Sequence, residues 1–332
     1  MIISASRRTD IPNYYSEWFY NRIKEGFVYV RNPRNVHQVS RIDLSKDVVD
    51  IIVFWTKNPE PMFARLDELA AYHYCFQFTL TGYGKDIERN IPHKKEKMIP
   101  VFRELASRIG KQKVVWRYDP ILFAKKYTPE YHLRAFRAIA EALKGYTEKC
   151  VISFVDLYAC NRKNMEAIGS YSLDGAGLQE FAKEISRIAG QNGMKVGSCA
   201  ENIDLGFCGI EHNCCIDKEW IENIIGCRIK AGKDKNQRPE CGCMESVEIG
   251  AYDTCRSGCI YCYANRGACR AVHCATDRAA DRVAHGNQER VMDNCGGYDP
   301  ASPILCGRIT AEDKISIRRG KSLKEEQLSL LQ

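Results

Sequence analysis

The sequence contains no apolar run approaching the roughly 18 residues needed to cross a bilayer. It also lacks a secretory signal. In Met1–Asp10 the apolar residues come first and Arg7 and Arg8 follow, the reverse of a signal peptide. These absences predict a cytoplasmic protein with no membrane partner. No Gly-rich phosphate loop follows the first apolar run, which weighs against a nucleotide-binding doubly wound sheet. There is no internal repeat and no low-complexity linker. Neither charge sign dominates: 49 Lys and Arg stand against 42 Asp and Glu, giving +7 spread over the whole chain. That excess permits nucleic acid or an anionic substrate as partner without indicating either, and a solvated basic surface accounts for it as well.

Cysteine is nearly absent from the first 149 residues, where Cys75 stands alone, yet the chain holds 17. The others all fall from Cys150 onward. In a cytosolic chain, close-set cysteines point to metal or redox chemistry more often than to disulfides. The chemistry is therefore loaded towards the C-terminal half.

What the rest of the chain offers is alternation. With 332 residues, 45% of them hydrophobic, the chain can bury one large α/β domain or two ordinary ones. Short runs rich in Val, Ile and aromatics predict strands at Ile2–Ser6, Val49–Trp55, Tyr74–Thr79, Lys113–Tyr118, Cys150–Asp156, Lys195–Cys199 and Val247–Tyr252. Between them, apolar residues three and four apart predict helices at Glu17–Lys24, Pro61–Ala71, Lys94–Ile109, Pro129–Leu143, Leu178–Gln191 and Lys218–Ile225. Thr128 is the expected N-cap of the fourth, and Pro100 is expected to kink or split the third. Repeated strand–helix alternation predicts a parallel sheet, and seven strands favour a TIM-like (β/α) barrel, complete or partial. Polar residues gather just after the strands: Arg7, Arg8 and Asp10, Lys57 and Asn58, Thr79, Arg117 and Asp119, Asp156, and Glu201. In a parallel barrel these positions converge on the face where active sites are built. The expected division is a barrel over 1–265, including the late cysteines up to Cys262, and a C-terminal extension over 266–332 packing on it.

Cys255, Cys259 and Cys262 form a Cys-x3-Cys-x2-Cys loop at the end of the last expected strand, with Tyr261 before the third thiol. This spacing lets one tight loop present three thiolates to an iron–sulfur cluster and leaves a fourth iron open. A zinc site on the same loop, closed by a further cysteine, and structural thiols are the competing readings. Cys241-Gly-Cys243 is a compact bidentate unit. With cysteines from Cys199 to Cys215 it suggests a second, four-thiolate site holding zinc or a second cluster. Cys269, Cys274, Cys295 and Cys306 form a rival quartet, and His273 and His285 nearby read as solvated.

The loop resembles that of the radical S-adenosylmethionine superfamily. The wider chain is similar to the iron–sulfur family known as domain of unknown function 1848, through Ile3–Pro12, Phe54–Pro59, Phe76–Gly82, Trp116–Pro120, Cys241–Cys243 and the loop itself. The phrases around Trp55–Pro59, Thr79–Gly82 and Arg117–Pro120 also look like those of the spore photoproduct lyase family. The resemblance implies a 4Fe–4S cluster that binds S-adenosylmethionine, cleaves it reductively and starts hydrogen abstraction from an unknown substrate. A reducing partner such as flavodoxin or ferredoxin follows from it. Among the strand-end residues and the loop, Arg7, Arg8, Lys57, Asn58, Thr79, Arg117, Asp156, Glu201 and Tyr261 are the candidates to contact that cofactor; ion pairs of Arg7 or Arg8 with Asp10 or Glu17, and of Arg117 with Asp119, are the competing readings. The resemblance also implies a second site on Cys199, Cys215, Cys241 and Cys243. In that superfamily the loop follows the first barrel strand, whereas here it follows the last. A circular permutation is the simplest account, with Val247–Tyr252 expected in parallel beside Ile2–Ser6. The alternatives are an iron–sulfur protein limited to electron transfer or stability, and a zinc-bearing nucleic-acid-binding protein.

Overall fold

In the computed structural model, residues 1–265, 298–318 and 320–325 are described. Runs of β-branched and aromatic residues form strands buried on both faces, as a parallel sheet requires. The chain opens with β1 (Ile2–Ala5), the short α1 (Ile11–Tyr14), α2 (Ser16–Glu25), and the strands β2 (Phe27–Asn32), β3 (Asn35–Asp43) and β4 (Ile51–Thr56). It continues through β5 (Tyr74–Thr79), α3 (Ile99–Ile109), β6 (Val114–Ile121), α4 (Pro129–Leu143), β7 (Lys149–Phe154), α5 (Arg162–Ala167) and α6 (Gly175–Gln191). The later elements are β8 (Lys195–Cys199), β9 (Ile210–Asn213), α7 (Lys218–Ile225), β10 (Val247–Glu248) and β11 (Lys314–Arg318).

Eight strands make one parallel sheet in the order β10-β1-β4-β5-β6-β7-β8-β9. All seven expected strands are in it, and β9 is an addition. The order follows the chain from β1 to β9, except that β10, the last of these strands, lies at the edge beside β1. Ile3 pairs with Val247 and Ser4 with Glu248. This strand is shorter than the expected Val247–Tyr252. The Glu248 carboxylate accepts the backbone N–H of Arg7 at 3.0 Å and of Gly250 at 3.1 Å, which turns the chain out of the ladder. The two edges, β9 and β10, share no ladder bonds among the described residues. Their flanks meet where Met244 N–H donates to the Ile216 carbonyl at 3.0 Å.

Helices α2, α3, α4 and α6 pack on one face of the sheet and α7 on the other. Trp116 stacks on Phe136 of α4 at 4.7 Å, and Phe54 on Phe76 at 4.8 Å. Thr128 caps α4 as expected, its side chain accepting from the Tyr131 N–H. Pro100 stands at the start of α3, and Lys94–Met98 before it forms a wider π turn, so the expected single helix is split. Residues Glu60–Leu69 form a 3₁₀ helix starting between Pro59 and Pro61, which lack N–H donors. The hairpin β2–β3, joined in parallel by β11, is a second, three-stranded sheet that the alternation did not foretell. No helix among the described residues is long and apolar enough to cross a membrane.

His132 in α4 is fully buried. Its Nε2 lies 2.9 Å from the Leu122 carbonyl and its Nδ1 2.9 Å from the Tyr118 hydroxyl, so Nε2 carries the proton and Nδ1 accepts. Burial pushes its pKa down to about 4. The folded protein therefore resists a proton that the unfolded chain takes up near the ordinary histidine value of about 6.5. Stability is present above that value and falls as pH drops towards 4. Between pH 7 and pH 5 the loss assignable to His132 is on the order of 2 kcal/mol. Urea unfolding of wild type and His132→Gln at the two pH values measures it. Parallel pH dependences in the two proteins would overturn this assignment.

Candidate functional site

A cavity of about 310 Å³ opens at the C-terminal ends of the parallel strands. Cys255, Cys259 and Cys262 line one side of it, and Cys199, Cys215, Cys241 and Cys243 line another. Arg7, Arg8, Lys57, Thr79, Arg117, Asp156 and Tyr261 also line it. Two expected residues do not. Asn58 turns away to donate to Asn13 Oδ1 at 3.0 Å and to cap the following helix through its own Oδ1. Glu201 accepts the Phe154 N–H at 2.8 Å, so its carboxylate is engaged at the end of β7.

The cysteine loop is held from several sides. Its own ends meet where Asp253 N–H donates to the Ala264 carbonyl at 2.9 Å. The segment after β5 clamps it: Ile260 N–H donates to Ile87 O, Asn90 N–H to Ser257 O, and Asn90 Nδ2 to Arg256 O. From the segment after β7, Asn161 Nδ2 reaches the Tyr261 carbonyl at 2.9 Å and Asn164 Nδ2 the Ile260 carbonyl at 2.8 Å. Gly258 has φ +66, and a Cβ there would press on Asn90 and Arg89 at 3.2–3.3 Å, so the loop's bend requires glycine.

Behind the loop sits a buried charge network. Lys57 Nζ donates to Glu88 Oε1 at 2.7 Å and to the Tyr261 hydroxyl at 2.9 Å, while Lys94 and Tyr261 also donate to Glu88. Burial opposes ionisation of Glu88, but Lys57 and Lys94 overcome it and hold its carboxyl down to about 2. Asp10 ties the end of β1 to that of β4. It accepts from Thr56 Oγ1 at 2.7 Å, Lys57 N–H at 2.8 Å and Asn13 N–H at 3.1 Å. It is thus not the ion-pair partner of Arg7 or Arg8, and burial pushes its pKa up to about 6 despite those donors.

Burial raises the pKa of all three loop cysteines, that of Cys262 to about 12. As free thiols they are neutral, and a bound cation is what makes thiolates stable there. Among the described residues, no hydrogen bond joins two of these thiols, and no group of three or more His, Cys, Asp or Glu is already gathered round a metal position. The donor set nevertheless fits an iron–sulfur cluster: three sulfurs on one constrained loop face one cavity, and Lys57 lies beside them. Cys160 contacts the carbonyls of Cys262 and Tyr263 and does not line the cavity.

Across the cavity Arg117 pairs with Asp119, Nε to Oδ1 at 3.0 Å, as the sequence suggested. It also donates from Nη1 to Cys215 Sγ at 2.8 Å. Arg7 and Arg117 both lie over the Trp55 ring, at 4.9 and 5.1 Å. Arg8 lies over the Tyr252 ring at 4.9 Å, and Asp156 is bound by Arg238 at 2.6 Å on the rim. Glu88, Asn161, Asn164 and Arg238 were not singled out as site residues in the sequence, whereas Asp10 was placed with the strand-end polar residues. The run Gly82-Tyr-Gly84 directly before Glu88 was the available signal for one of them, since paired glycines mark a loop at a strand end. The rival cysteines Cys269, Cys274 and Cys295, with His273 and His285, lie outside the described residues, and Cys306 is disulfide-bonded.

Asn161 is 1% exposed and also donates to the Asp156 carbonyl at 3.0 Å. Asn161→Ala strands buried carbonyls and should destabilise the fold by about 1–3 kcal/mol. Amide exchange should quicken in 255–264. Exchange as slow as in wild type would show that Asn161 does not hold the loop.

No curated protein matches the chain. Among solved structures, a candidate alpha-L-fucosidase from Bacteroides thetaiotaomicron aligns at 11% identity and a TM-score of 0.25, covering 55% of this chain and 73% of its own. The model of the family described as a domain of unknown function (DUF1848) matches residues 2–264, from β1 through the cysteine loop, and the chain belongs to that family.

Proposed function

We propose that this protein is a radical S-adenosylmethionine enzyme whose 4Fe–4S cluster is held by Cys255, Cys259 and Cys262. The observation that carries the reading is the position of these thiols. They sit on a clamped loop at the C-terminal end of a parallel strand and face one cavity lined by cations. When bound, the cluster and S-adenosylmethionine together supply a 5′-deoxyadenosyl radical by reductive cleavage of the sulfonium, the cofactor carrying the hard chemistry.

The chain's own residues bind, orient and exclude water. Arg8, whose guanidinium makes one long bond to the Gly250 carbonyl at 3.4 Å, would take the carboxylate of the amino-acid portion. Asp156 would receive the amino group only by sharing with Arg238. Tyr158 and Tyr263, half-exposed and 5.8 Å apart on the rim, offer ring faces to the adenine. Lys57, Glu88 and Tyr261 keep water out from behind the loop.

The finer fold belongs to the same reading. Eight parallel strands in succession make a TIM-like barrel, left partial at the β9–β10 seam. It is permuted so that β10 stands where the superfamily has its first strand, and β1 follows it. Residues 1–265 form this barrel, and the described residues 298–318 and 320–325 belong to an extension that packs on it. The contacts of Trp18 Nε1 with the Ser302 carbonyl at 2.9 Å and of β11 with β3 support the extension. A flavodoxin- or ferredoxin-like protein would deliver the electron, and the substrate enters over the Arg238–Tyr263 rim.

Anaerobic reconstitution tests the proposal. The wild-type chain should turn brown with about four irons bound, and dithionite with S-adenosylmethionine should release 5′-deoxyadenosine. Single Cys255→Ala, Cys259→Ala or Cys262→Ala variants should lose most of that iron and all of the cleavage. A triple variant that keeps a full cluster would sink the ligand assignment. A brown wild type that never cleaves S-adenosylmethionine would leave an electron carrier as the function.

A further inference from the structure

Beyond the loop thiols, four more sulfurs converge from three chain segments. Cys199 ends β8, Cys215 follows β9, and Cys241 and Cys243 stand just before β10. Cys199 Sγ and Cys215 Sγ are 3.1 Å apart. Cys243 has Cys215 on one side and Cys241 on the other as its neighbouring thiols. These sulfurs already accept from N–H donors, in the manner of supported thiolate ligands. Arg117 Nη1 reaches Cys215 at 2.8 Å, Asn213 Nδ2 reaches it at 3.7 Å, and the Ile216 N–H reaches Cys243 at 3.4 Å. Arg7 is half-buried, its enclosed Nη2 has no hydrogen-bond partner, and Cys243, Glu248 and Cys215 are the groups that act most on its guanidinium.

We propose that Cys199, Cys215, Cys241 and Cys243 bind a single zinc-type divalent ion, which staples the seam between β9 and β10. Size decides for one ion over a second cluster. A tetrahedral centre with metal–sulfur bonds of about 2.3 Å sets its sulfurs roughly 3.8 Å apart. The contact of 3.1 Å between Cys199 and Cys215 then has to open by less than 1 Å, to about 3.8 Å. A cubane spreads its four terminal thiolates much farther and would force three backbone segments apart. The Cys-x-Cys spacer fits the same compact geometry. A Cβ on Gly242 would lie 2.5 Å from Cys214 Sγ, so glycine lets the 213–216 segment close on 241–243.

Location supplies the role. Two ligands come from the β8–β9 edge and two from the β10 edge, where the Met244–Ile216 bond is the backbone contact across the gap. The ion does there what ladder bonds do elsewhere in the sheet. All four positions are filled by protein, so the centre is closed and structural. Arg117 and Arg7 offset the negative charge of four thiolates around a divalent ion.

Cobalt is the probe. The full chain, stripped of metal anaerobically, should bind one Co²⁺ with the intense thiolate-to-metal absorption of a tetrahedral tetrathiolate centre, and zinc should bleach it. The triple Cys255→Ala/Cys259→Ala/Cys262→Ala chain should bind it equally, which separates this site from the loop. Cys241→Ser/Cys243→Ser should lose the equivalent, whereas Cys214→Ser should retain it. Metal loading should slow amide exchange in 210–216 and 241–248. Wild-type protein giving only a weak octahedral cobalt spectrum would overturn the proposal even if the variants fail to fold. Iron in excess of one cluster, lost on changing Cys241 and Cys243, would overturn it in favour of a second cluster.

Discussion

The whole cavity depends on two residues of parallel pairing. Val247 and Glu248 lie against Ile3 and Ser4, and that short ladder carries the cysteine loop to the open ends of the strands. Two pairs are too few to hold a strand by backbone bonds alone. The Glu248 side chain makes up the difference, accepting from the Ser4 hydroxyl at 2.9 Å and from the backbone N–H groups of Arg7 and Gly250. One carboxylate thus ends the strand, starts the loop and orients the first arginine of the cavity wall. Charge-assisted bonds of this kind are stronger than neutral ones, which suits a joint that has little else.

The cavity wall is built from charges that have been taken out of water in pairs. Lys57 and Lys94 close on Glu88, and Arg117 closes on Asp119. Such pairs contribute little net stability, because desolvation offsets most of their attraction. Their value is positional: an arginine or lysine fixed by a buried partner cannot swing away from the space it faces. The same low-dielectric setting makes the loop thiols costly to ionise, so Cys255, Cys259 and Cys262 favour a bound cation.

Much of this was legible before any coordinates. The seven strands, the N-cap Thr128, the split at Pro100 and the Arg117–Asp119 pair all rest on local rules of periodicity, capping and i,i+2 reach along a strand. The hairpin Phe27–Asp43 was missed because β3 is largely exposed at its start and shows little apolar alternation. Asn58 and Glu201 followed strands as the site residues did, but proximity to a strand end does not say which way a side chain turns. Asn58 turned to a cap and Glu201 to a backbone N–H. Asn161 and Asn164 carried no local signal, since their partners lie in the loop around residue 260.

The sequence by itself determined that this is a parallel α/β protein with a three-thiol loop at the end of its last long run of strands and helices. Hydrophobic period and cysteine spacing are properties of neighbouring residues, and both survive without a fold. Only the tertiary structure decided that Cys199, Cys215, Cys241 and Cys243 meet, and that they share a cavity with Cys255, Cys259 and Cys262. It also decided that, among the described residues, the two edges of the sheet stop short of pairing. Those facts depend on how strand twist and crossover length accumulate over eight strands, and no local window of sequence contains that sum.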